Sequence, residues 1–264
     1  MAKHFYPYLQ TMPMLQSYIS QQFNGTIWRL EIDELSETIF IETRNEQDKQ
    51  VSFSSINLNT GHTNFKELTT PERWLTGIEA AYDGVLLLHN YQSENGPLHK
   101  GIIAIDAITG ETLWENYINA FDHLSADGPV VYNTNIQPKK LFIADIRTGA
   151  TNRVYDPSVN HEIQNSIVVP QLIDPALLSP ELILFSPFGN SIHYLEYNNF
   201  RIVSLHTLEA ETLKQYLYIF NGVDKVYDDL LNTSIQKLQP EAFILHKTRL
   251  IYIKDKSVLN IVNL

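Results

Sequence analysis

A short unit, in which two apolar strands flank a tight turn, recurs along the chain and limits its possible folds more than any other feature. Its best copy runs from Gly101 to Trp114. An alternating strand ends at Asp106, a turn reaches Gly110, and a second strand carries an aromatic residue four positions later. A repeat of this kind predicts how a chain is built and says little about its chemistry.

Two other segments keep the same order of residue types. Asn57–Phe65 and Asp145–Gly149 each place Asn or Asp three positions before Thr, with Gly directly after it. A short carboxylate or amide can accept hydrogen bonds from backbone N–H groups across a turn, and Gly supplies the positive φ that such a turn needs. We therefore predict that the turns are built by Asp106, Thr109, Gly110, Asp145, Thr148 and Gly149.

Large apolar side chains follow these turns. Phe65 and Trp114 stand four positions after a turn glycine. An earlier segment, Asn24–Trp28, keeps the turn and the aromatic residue but lacks the upstream Asp. Because these rings recur with the repeat, we predict that Trp28, Phe65 and Trp114 pack between neighbouring sheets and do not stack on a ligand.

The spacing of the proposed turns indicates the architecture. Successive turns are 36, 49, 39, 50 and 33 residues apart, at Gly25, Gly61, Gly110, Gly149, Asn199 and Asn232. Propeller blades of four strands repeat every 40–45 residues or so. The prediction is an all-β propeller of six blades. Five blades result if the degenerate copies at Asn199 and Asn232 merge, and seven would need strands from residues 5–22.

The chain ends suggest how such a ring closes. The last segment, 239–264, contains three strand-like runs and lacks a fourth. An early strand in 22–33 is the candidate that completes this blade, and its pairing with 239–264 would remove an open sheet edge. Since no linker-like tract divides the chain, we expect 1–264 to form a single domain.

The pattern of Ala104, Asp106, Thr109, Gly110 and Trp114 resembles the repeat of quinoprotein-like propellers, including bacterial propellers of this size. The resemblance implies that Trp114 packs between blades and that Asp106 braces the turn. Quinone-using members are about twice as long and carry a calcium site and a vicinal disulfide. This chain has no cysteine, so we expect no cofactor.

Charge and hydropathy limit the partners. The net charge is −11, and an acidic surface repels phosphate backbones, so we expect no binding to nucleic acid. No apolar run is long enough for a membrane-spanning helix, and the N-terminal segment lacks the apolar core of a secretion signal. A cytoplasmic location without membrane insertion is the expectation.

Residues that could carry chemistry have simpler structural explanations. Nine histidines are present without His-x-His or His-Glu-x-x-His spacing, so His89, His193 and His246 are expected as half-buried or surface residues of strands. Asp106 and Asp145 fit turn bracing better than catalysis. The segment His123–Asp127 contains triad residue types, but nearness in sequence is no evidence for a triad. The sequence therefore predicts no catalytic or metal-binding residue.

Acidic residues are also concentrated near the C-terminal third. Two carboxylates at a suitable separation can serve glycoside hydrolysis. A solvated face is the simpler explanation for Glu209, Glu211, Asp224, Asp228 and Asp229.

These absences favour a non-catalytic scaffold that binds a protein or peptide, with exposed loops at 91–99 and 155–165 as contact regions. The rival is a small propeller enzyme of the glycosidase or lactonase type, with carboxylates or a metal at an axial channel. A sugar- or ligand-binding module that uses exposed tyrosines is a third possibility.

Overall fold

A computed structural model describes residues 14–93 and 96–264. These residues form 22 strands in five antiparallel sheets, which confirms the prediction that the chain is all-β. Their helical content is two 3-10 turns, Pro175–Leu177 and Pro180–Leu182. Neither has the length or the apolar character that a helix needs to cross a membrane.

The chain divides into two compact units. The central unit comprises Gln22–Ser166. The terminal unit comprises Ile167–Leu264 together with the described residues before Gln22, which include the first strand, β1 (Ser17–Gln22).

The central unit contains three four-stranded sheets, in each of which consecutive strands are neighbours. The first sheet consists of β2 (Thr26–Asp33), β3 (Thr38–Asn45), β4 (Gln50–Asn57) and β5 (Thr63–Leu68). The second consists of β6 (Thr76–Tyr82), β7 (Val85–Ser93), β8 (Gly96–Asp106) and β9 (Thr112–Asn116). The third consists of β10 (Asn119–Ser125), β11 (Gly128–Asn133), β12 (Leu141–Ala144) and β13 (Thr151–Val154).

The second sheet has an apolar layer on both faces. In β7, Leu86 and Leu88 pack into a core with residues of the first sheet, whereas Val85 and Leu87 pack into a core with residues of the third. Successive side chains of a strand point to opposite faces, so a continuous apolar run fills two cores at once. The run Val85–Leu88 therefore identifies a strand buried between two neighbouring sheets.

The terminal unit contains two five-stranded sheets. The first is a meander of β15 (Gln171–Ile173), β16 (Ile192–Tyr197), β17 (Phe200–Glu209), β18 (Thr212–Asn221) and β19 (Asp224–Ile235). The second has the order β1, β22 (Val258–Asn263), β21 (Arg249–Lys254), β20 (Ile244–His246) and β14 (Ile167–Val168).

An N-terminal strand does lie beside the C-terminal one, but it is not the strand that the sequence analysis selected. β1 is the neighbour of β22, whereas β2, in the predicted segment 22–33, pairs with β3 at the edge of its own sheet. The hairpin partner of β2 follows within a few residues, and this local pairing takes precedence over a distant one.

The described residues form five sheets where six blades were predicted. The degenerate copies at Asn199 and Asn232 belong to one sheet, since Asn199 lies between β16 and β17 and Asn232 lies within β19. The strands proposed for a seventh blade lie partly outside the described residues. Repeated four-stranded antiparallel meanders are consistent with a propeller-like fold.

Candidate metal centre

The Asp-x-x-Thr-Gly segments form turns of one geometry. Asp106 Oδ1 accepts hydrogen bonds from the backbone N–H groups of Ile108 and Thr109, at 3.0 and 2.9 Å, and from Thr109 Oγ1 at 3.2 Å. The Gly110 N–H donates to the Asp106 carbonyl at 3.0 Å, and Gly110 has a φ of 73°. These bonds hold the pKa of Asp106 below its ordinary value, although burial alone would raise it. The turn therefore accounts for the position of the Asp106 carboxylate.

The same turn recurs in two other places in the central unit. Asp145 Oδ1 accepts from the N–H groups of Arg147 and Thr148 and from Thr148 Oγ1, and Gly149 has a φ of 71°. Asn57 makes the equivalent three bonds with an amide oxygen. Asp106 and Asp145 therefore cannot use the oxygen bound in the turn for catalysis without breaking that turn.

Two of the three predicted aromatic residues lie against the glycine of the next turn. A Cβ added at Gly149 would lie 2.7 Å from Trp114 ring atoms, and one at Gly110 would lie 3.3 Å from the Phe65 ring. The Trp114 indole N–H also donates to the Ile146 carbonyl at 2.8 Å.

Trp28 differs from this pattern, because it is 62% exposed. It is the extra residue of a bulge on β2, the first strand of its sheet, whereas Phe65 and Trp114 lie on fourth strands. The prediction that Trp28 packs between sheets is therefore wrong.

The triad residue types do not form a triad. His123 Nδ1 lies 2.7 Å from Asp122 Oδ2, whereas Ser125 is buried and its hydroxyl donates to the Gly128 carbonyl. Among the C-terminal acidic residues, Asp229 accepts from Tyr252 at 2.7 Å and from Lys254 at 2.6 Å. His123 Nε2 makes no hydrogen bond within the described residues, and its ring does not bond to Ser125.

The structure brings together three other side chains that the sequence analysis did not group, Glu79, His89 and His99. They lie on the adjacent strands β6, β7 and β8 of the second sheet. Glu79 is the extra residue of a β-bulge between Ile78 and Ala80. A bulge redirects a side chain and is frequent beside functional sites. This bulge directs the Glu79 side chain toward His89 and His99.

A second bulge places His99. β8 has an extra residue opposite His89, where Gly101 has a φ of 68°. A glycine with positive φ is the usual first residue of such a bulge. The described residues of the segment 91–99, predicted as an exposed loop, belong to β7 up to Ser93 and to β8 from Gly96.

One carboxylate oxygen is shared by the two imidazoles. Glu79 Oε2 lies 3.1 Å from His89 Nδ1 and 2.9 Å from His99 Nδ1. The side chains of Glu79 and His89 are 11% and 2% exposed, and that of His99 is 32% exposed, so the cluster reaches solvent on the His99 side. Tyr91 contacts both imidazoles edge-on.

The buried part of the cluster is not satisfied by hydrogen bonds. Within the described residues, neither ring nitrogen of His89 has a hydrogen-bond partner, since its approach to Glu79 lacks the alignment of one. Burial acts to raise the pKa of Glu79, but the contacts with His89 and His99 outweigh it and lower that pKa. The carboxylate is therefore charged at neutral pH.

This grouping suits a metal ion. One ligand atom from each of the three residues lies within 4.8 Å of the others. Ligand atoms on an ion with bonds of about 2.0–2.1 Å are separated by about 2.9–3.4 Å, which matches the two measured contacts. The imidazole planes are parallel, so a shared ion requires the rings to tilt toward each other.

The sequence analysis considered His89 but expected it, like His193 and His246, to be half-buried or exposed. All three are buried. His193 differs from His89 in that its Nε2 lies 3.1 Å from the Pro240 carbonyl, to which it can only donate, whereas its Nδ1 makes no hydrogen bond within the described residues. A cross-strand alignment of β6, β7 and β8 would have been needed to find Glu79 and His99.

One family model is similar to part of this chain. Residues 32–114, which include all three clustered residues, match the family described as "Domain of unknown function (DUF4905)". The match covers less than half of the chain. No curated protein matches.

The similarity to solved structures is weak. BamB from Moraxella catarrhalis is 11% identical with a TM-score of 0.32, over 89% of this chain and 84% of that one. The GH43 endo-arabinanase from Bacillus licheniformis is 10% identical with a TM-score of 0.28, over 92% and 95%. Scores this low support no argument about activity, and the resemblance to quinoprotein-like propellers stays a prediction.

Proposed function

We propose that the central unit binds one divalent transition-metal ion through Glu79, His89 and His99. The observation that carries the proposal is the approach of two imidazole nitrogens to a single carboxylate oxygen. Zn²⁺ is the best-fitting ion, because it takes histidine and carboxylate ligands at these separations without a strict geometric demand. Imidazole also suits copper, iron and nickel.

Burial of His89 supports the same conclusion. A buried polar atom without a hydrogen bond costs about 1–3 kcal/mol. A metal bond to a ring nitrogen would remove part of that cost. The exposed side of the cluster, at His99, provides a route by which an ion can enter.

Metal titration tests the proposal. Purified protein, stripped with a chelator, should bind Co²⁺ or Zn²⁺ with a stoichiometry near one per chain by calorimetry. Glu79→Gln, which keeps the side-chain size, should lower the affinity at least tenfold. His62→Gln, at an exposed histidine of the same unit, is the control and should bind like the wild type. Absence of binding, or equal binding by Glu79→Gln, contradicts the proposal.

The metal proposal favours the enzyme alternative from the sequence analysis. Three protein ligands with a solvent-facing fourth position are the arrangement of catalytic zinc, where the ion activates a bound water as a nucleophile. The lactonase type is the class to assay first. Hydrolysis of a model lactone that depends on added Zn²⁺ and is lost in Glu79→Gln would support it. Equal rates with and without the ion would count against it.

The scaffold role remains a second proposal, and one surface supports it. All four residues of β13 are exposed, and among the described strands β13 pairs only with β12. An exposed edge strand can accept an extended peptide as an additional strand. The Tyr155 N–H donates to the Leu141 carbonyl of β12, so the N–H of the preceding Val154 faces the open edge. If the protein co-purifies with a stoichiometric partner, Val154→Pro should release it by removing that edge N–H. Retention of the partner by this variant would exclude β13 as the contact.

A further inference from the structure

The bulge that carries Glu79 is held from outside its own sheet. A bulge leaves the backbone groups of its extra residue without partners in the strand ladder, and such groups must be satisfied elsewhere. Here the partners come from β2 and β3 of the first sheet.

Two charged side chains of the first sheet bind this backbone. Glu42 Oε2 accepts a hydrogen bond from the Ile78 N–H at 2.8 Å. Arg29 donates to the Ile78 carbonyl at 2.9 Å and to the Glu79 carbonyl at 3.0 Å. The donors of Arg29 and the acceptor of Glu42 therefore hold the backbone before and after the Ile78–Glu79 peptide bond. This backbone sets the direction of the Glu79 side chain.

These two groups are themselves held in place. Glu42 is 2% exposed and forms an ion pair with Arg44 at 2.7 Å. Arg44 donates in turn to the Thr76 carbonyl at 3.0 Å. Arg29 pairs with Glu31 at 3.0 Å. Glu42 and Arg44 form a buried ion pair, whereas Arg29 is 40% exposed and is held by its bonds to two backbone carbonyls and to Glu31.

Gly77 allows the support to come close to the histidine. A Cβ at Gly77 would lie 3.2 Å from Glu42 Oε2 and 3.2 Å from two ring atoms of His89. The carboxylate and the imidazole therefore lie on either side of a residue that has no side chain. A larger residue would have to displace one of them.

We infer that Arg29 and Glu42 are positioning residues of the metal centre, which set the direction of Glu79 by holding the bulge on β6. The inference rests on the proposed metal binding. Groups that orient metal ligands typically change metal affinity about 10- to 100-fold when they are replaced. Support from a neighbouring sheet also means that the geometry of the centre depends on how the first two sheets pack.

Cobalt spectroscopy of full-length variants tests this inference. Arg29→Met keeps the aliphatic stem and removes both donors. It should weaken Co²⁺ binding about 10- to 100-fold and change the visible absorption of the saturated protein. Arg29→Lys, which keeps the charge and one donor, should recover part of the affinity. Arg153→Met, at a half-exposed arginine of the same unit, is the control and should leave both the affinity and the spectrum unchanged.

A second variant addresses the other side of the bulge. Glu42→Gln keeps an oxygen for the Ile78 N–H but loses the charge that pairs with Arg44, and it should alter the Co²⁺ spectrum in folded protein. If the wild type binds Co²⁺ and neither Arg29→Met nor Glu42→Gln alters affinity or spectrum, the positioning role is wrong while metal binding stands. If the wild type itself does not bind, both proposals are overturned.

Discussion

The imidazole rings of His89 and His99 lie parallel, with their centroids 3.5 Å apart and their planes 7° from each other. They come from adjacent strands, and each directs Nδ1 at the same oxygen of Glu79. Such a stack leaves the ring nitrogens of His89 buried without hydrogen bonds in the described structure. A polar residue that costs stability at a buried position indicates a functional requirement.

Replacement of His89 should separate stability from function. His89→Leu removes two buried ring nitrogens that make no hydrogen bond, but it also removes the contact that lowers the pKa of Glu79, so the opposing effects should leave the free energy of unfolding of the metal-free protein within about 1 kcal/mol of the wild type. Metal binding should be lost in the same variant. Urea unfolding and Co²⁺ titration measure the two effects. A variant that is destabilised and still binds the ion would contradict the role given to His89.

Trp114 should carry much of the packing between the second and third sheets. Trp114→Ala should lower the free energy of unfolding by about 3–5 kcal/mol, because it removes a large ring and leaves a cavity. Trp114→Phe, which keeps an aromatic ring but loses the bond to Ile146, should cost about 1 kcal/mol. Chemical denaturation measures both. A loss under about 1 kcal/mol for the alanine variant would show that the ring does not hold the sheets together.

Gly149 should tolerate no side chain while Trp114 is present. Gly149→Ala combines a positive φ with a Cβ 2.7 Å from the indole, so it should cost more than backbone strain alone. Gly222→Ala is a matched control, since Gly222 has a φ of 63° and no atom within 4 Å of the added Cβ. In a Trp114→Ala background, the cost of Gly149→Ala should fall to that of the control. An unchanged cost there would mean that the clash is not with Trp114.

Asp106 should contribute to the free energy of unfolding mainly through Oδ1, which accepts the turn hydrogen bonds. Asp106→Asn keeps Oδ1, which accepts all three turn hydrogen bonds, and should change the free energy of unfolding by less than about 0.5 kcal/mol. Asp106→Ala removes them and should cost about 1–2 kcal/mol. Thermal unfolding of the two variants side by side makes the comparison. Equal losses would assign the effect to charge and not to the turn.

Stability should fall in mild acid because of His206. Burial, and secondarily the nearby His193, lower the pKa of His206 to about 4. The ordinary pKa is about 6.5, so between these values the unfolded chain binds a proton that the folded chain does not. Stability is therefore full above about pH 6.5 and is lost as the pH falls toward 4, by about 2–3 kcal/mol at pH 4.5.

Urea unfolding at pH 7.5 and pH 4.5 measures this loss. His206→Gln keeps an acceptor for the Gln239 N–H, which lies 3.0 Å from His206 Nε2, and it cannot titrate in this range. The variant should lose less stability between the two pH values than the wild type does. An identical loss in both proteins would place the acid sensitivity elsewhere.

Sequence reasoning works best here where partner atoms are close along the chain. The bonds to Asp106 Oδ1 and the bond from the Gly110 N–H to the Asp106 carbonyl all join atoms within four residues, so residue types and spacing are enough to expect the turn. Trp28 shows the limit of the same reasoning. It stands three positions after Gly25, whereas Trp114 stands four positions after Gly110, and its strand is the first of a sheet. Position within the sheet decides what an aromatic residue meets.

The candidate site lies beyond that limit. Glu79 and His99 are placed by bulges, each of which shifts strand pairing by one residue, and a one-residue shift moves a side chain to the other face of a sheet. No residue pattern in a single sequence reports that shift. The role of Arg29 is equally hidden, since the carbonyls it binds are 49 and 50 residues away.

Taken alone, the order of amino acids determined that this chain forms strands, where the turns at Asn57, Asp106 and Asp145 fall, and that cysteine chemistry is absent. Tertiary structure decided that β1 joins β22, that five sheets form in the described residues, and that two imidazoles meet one carboxylate. The physical reason is the distance along the chain between the groups that interact. Backbone conformation and turn hydrogen bonds depend on neighbours in the chain, whereas sheet partners and ligand clusters depend on the packing of distant segments.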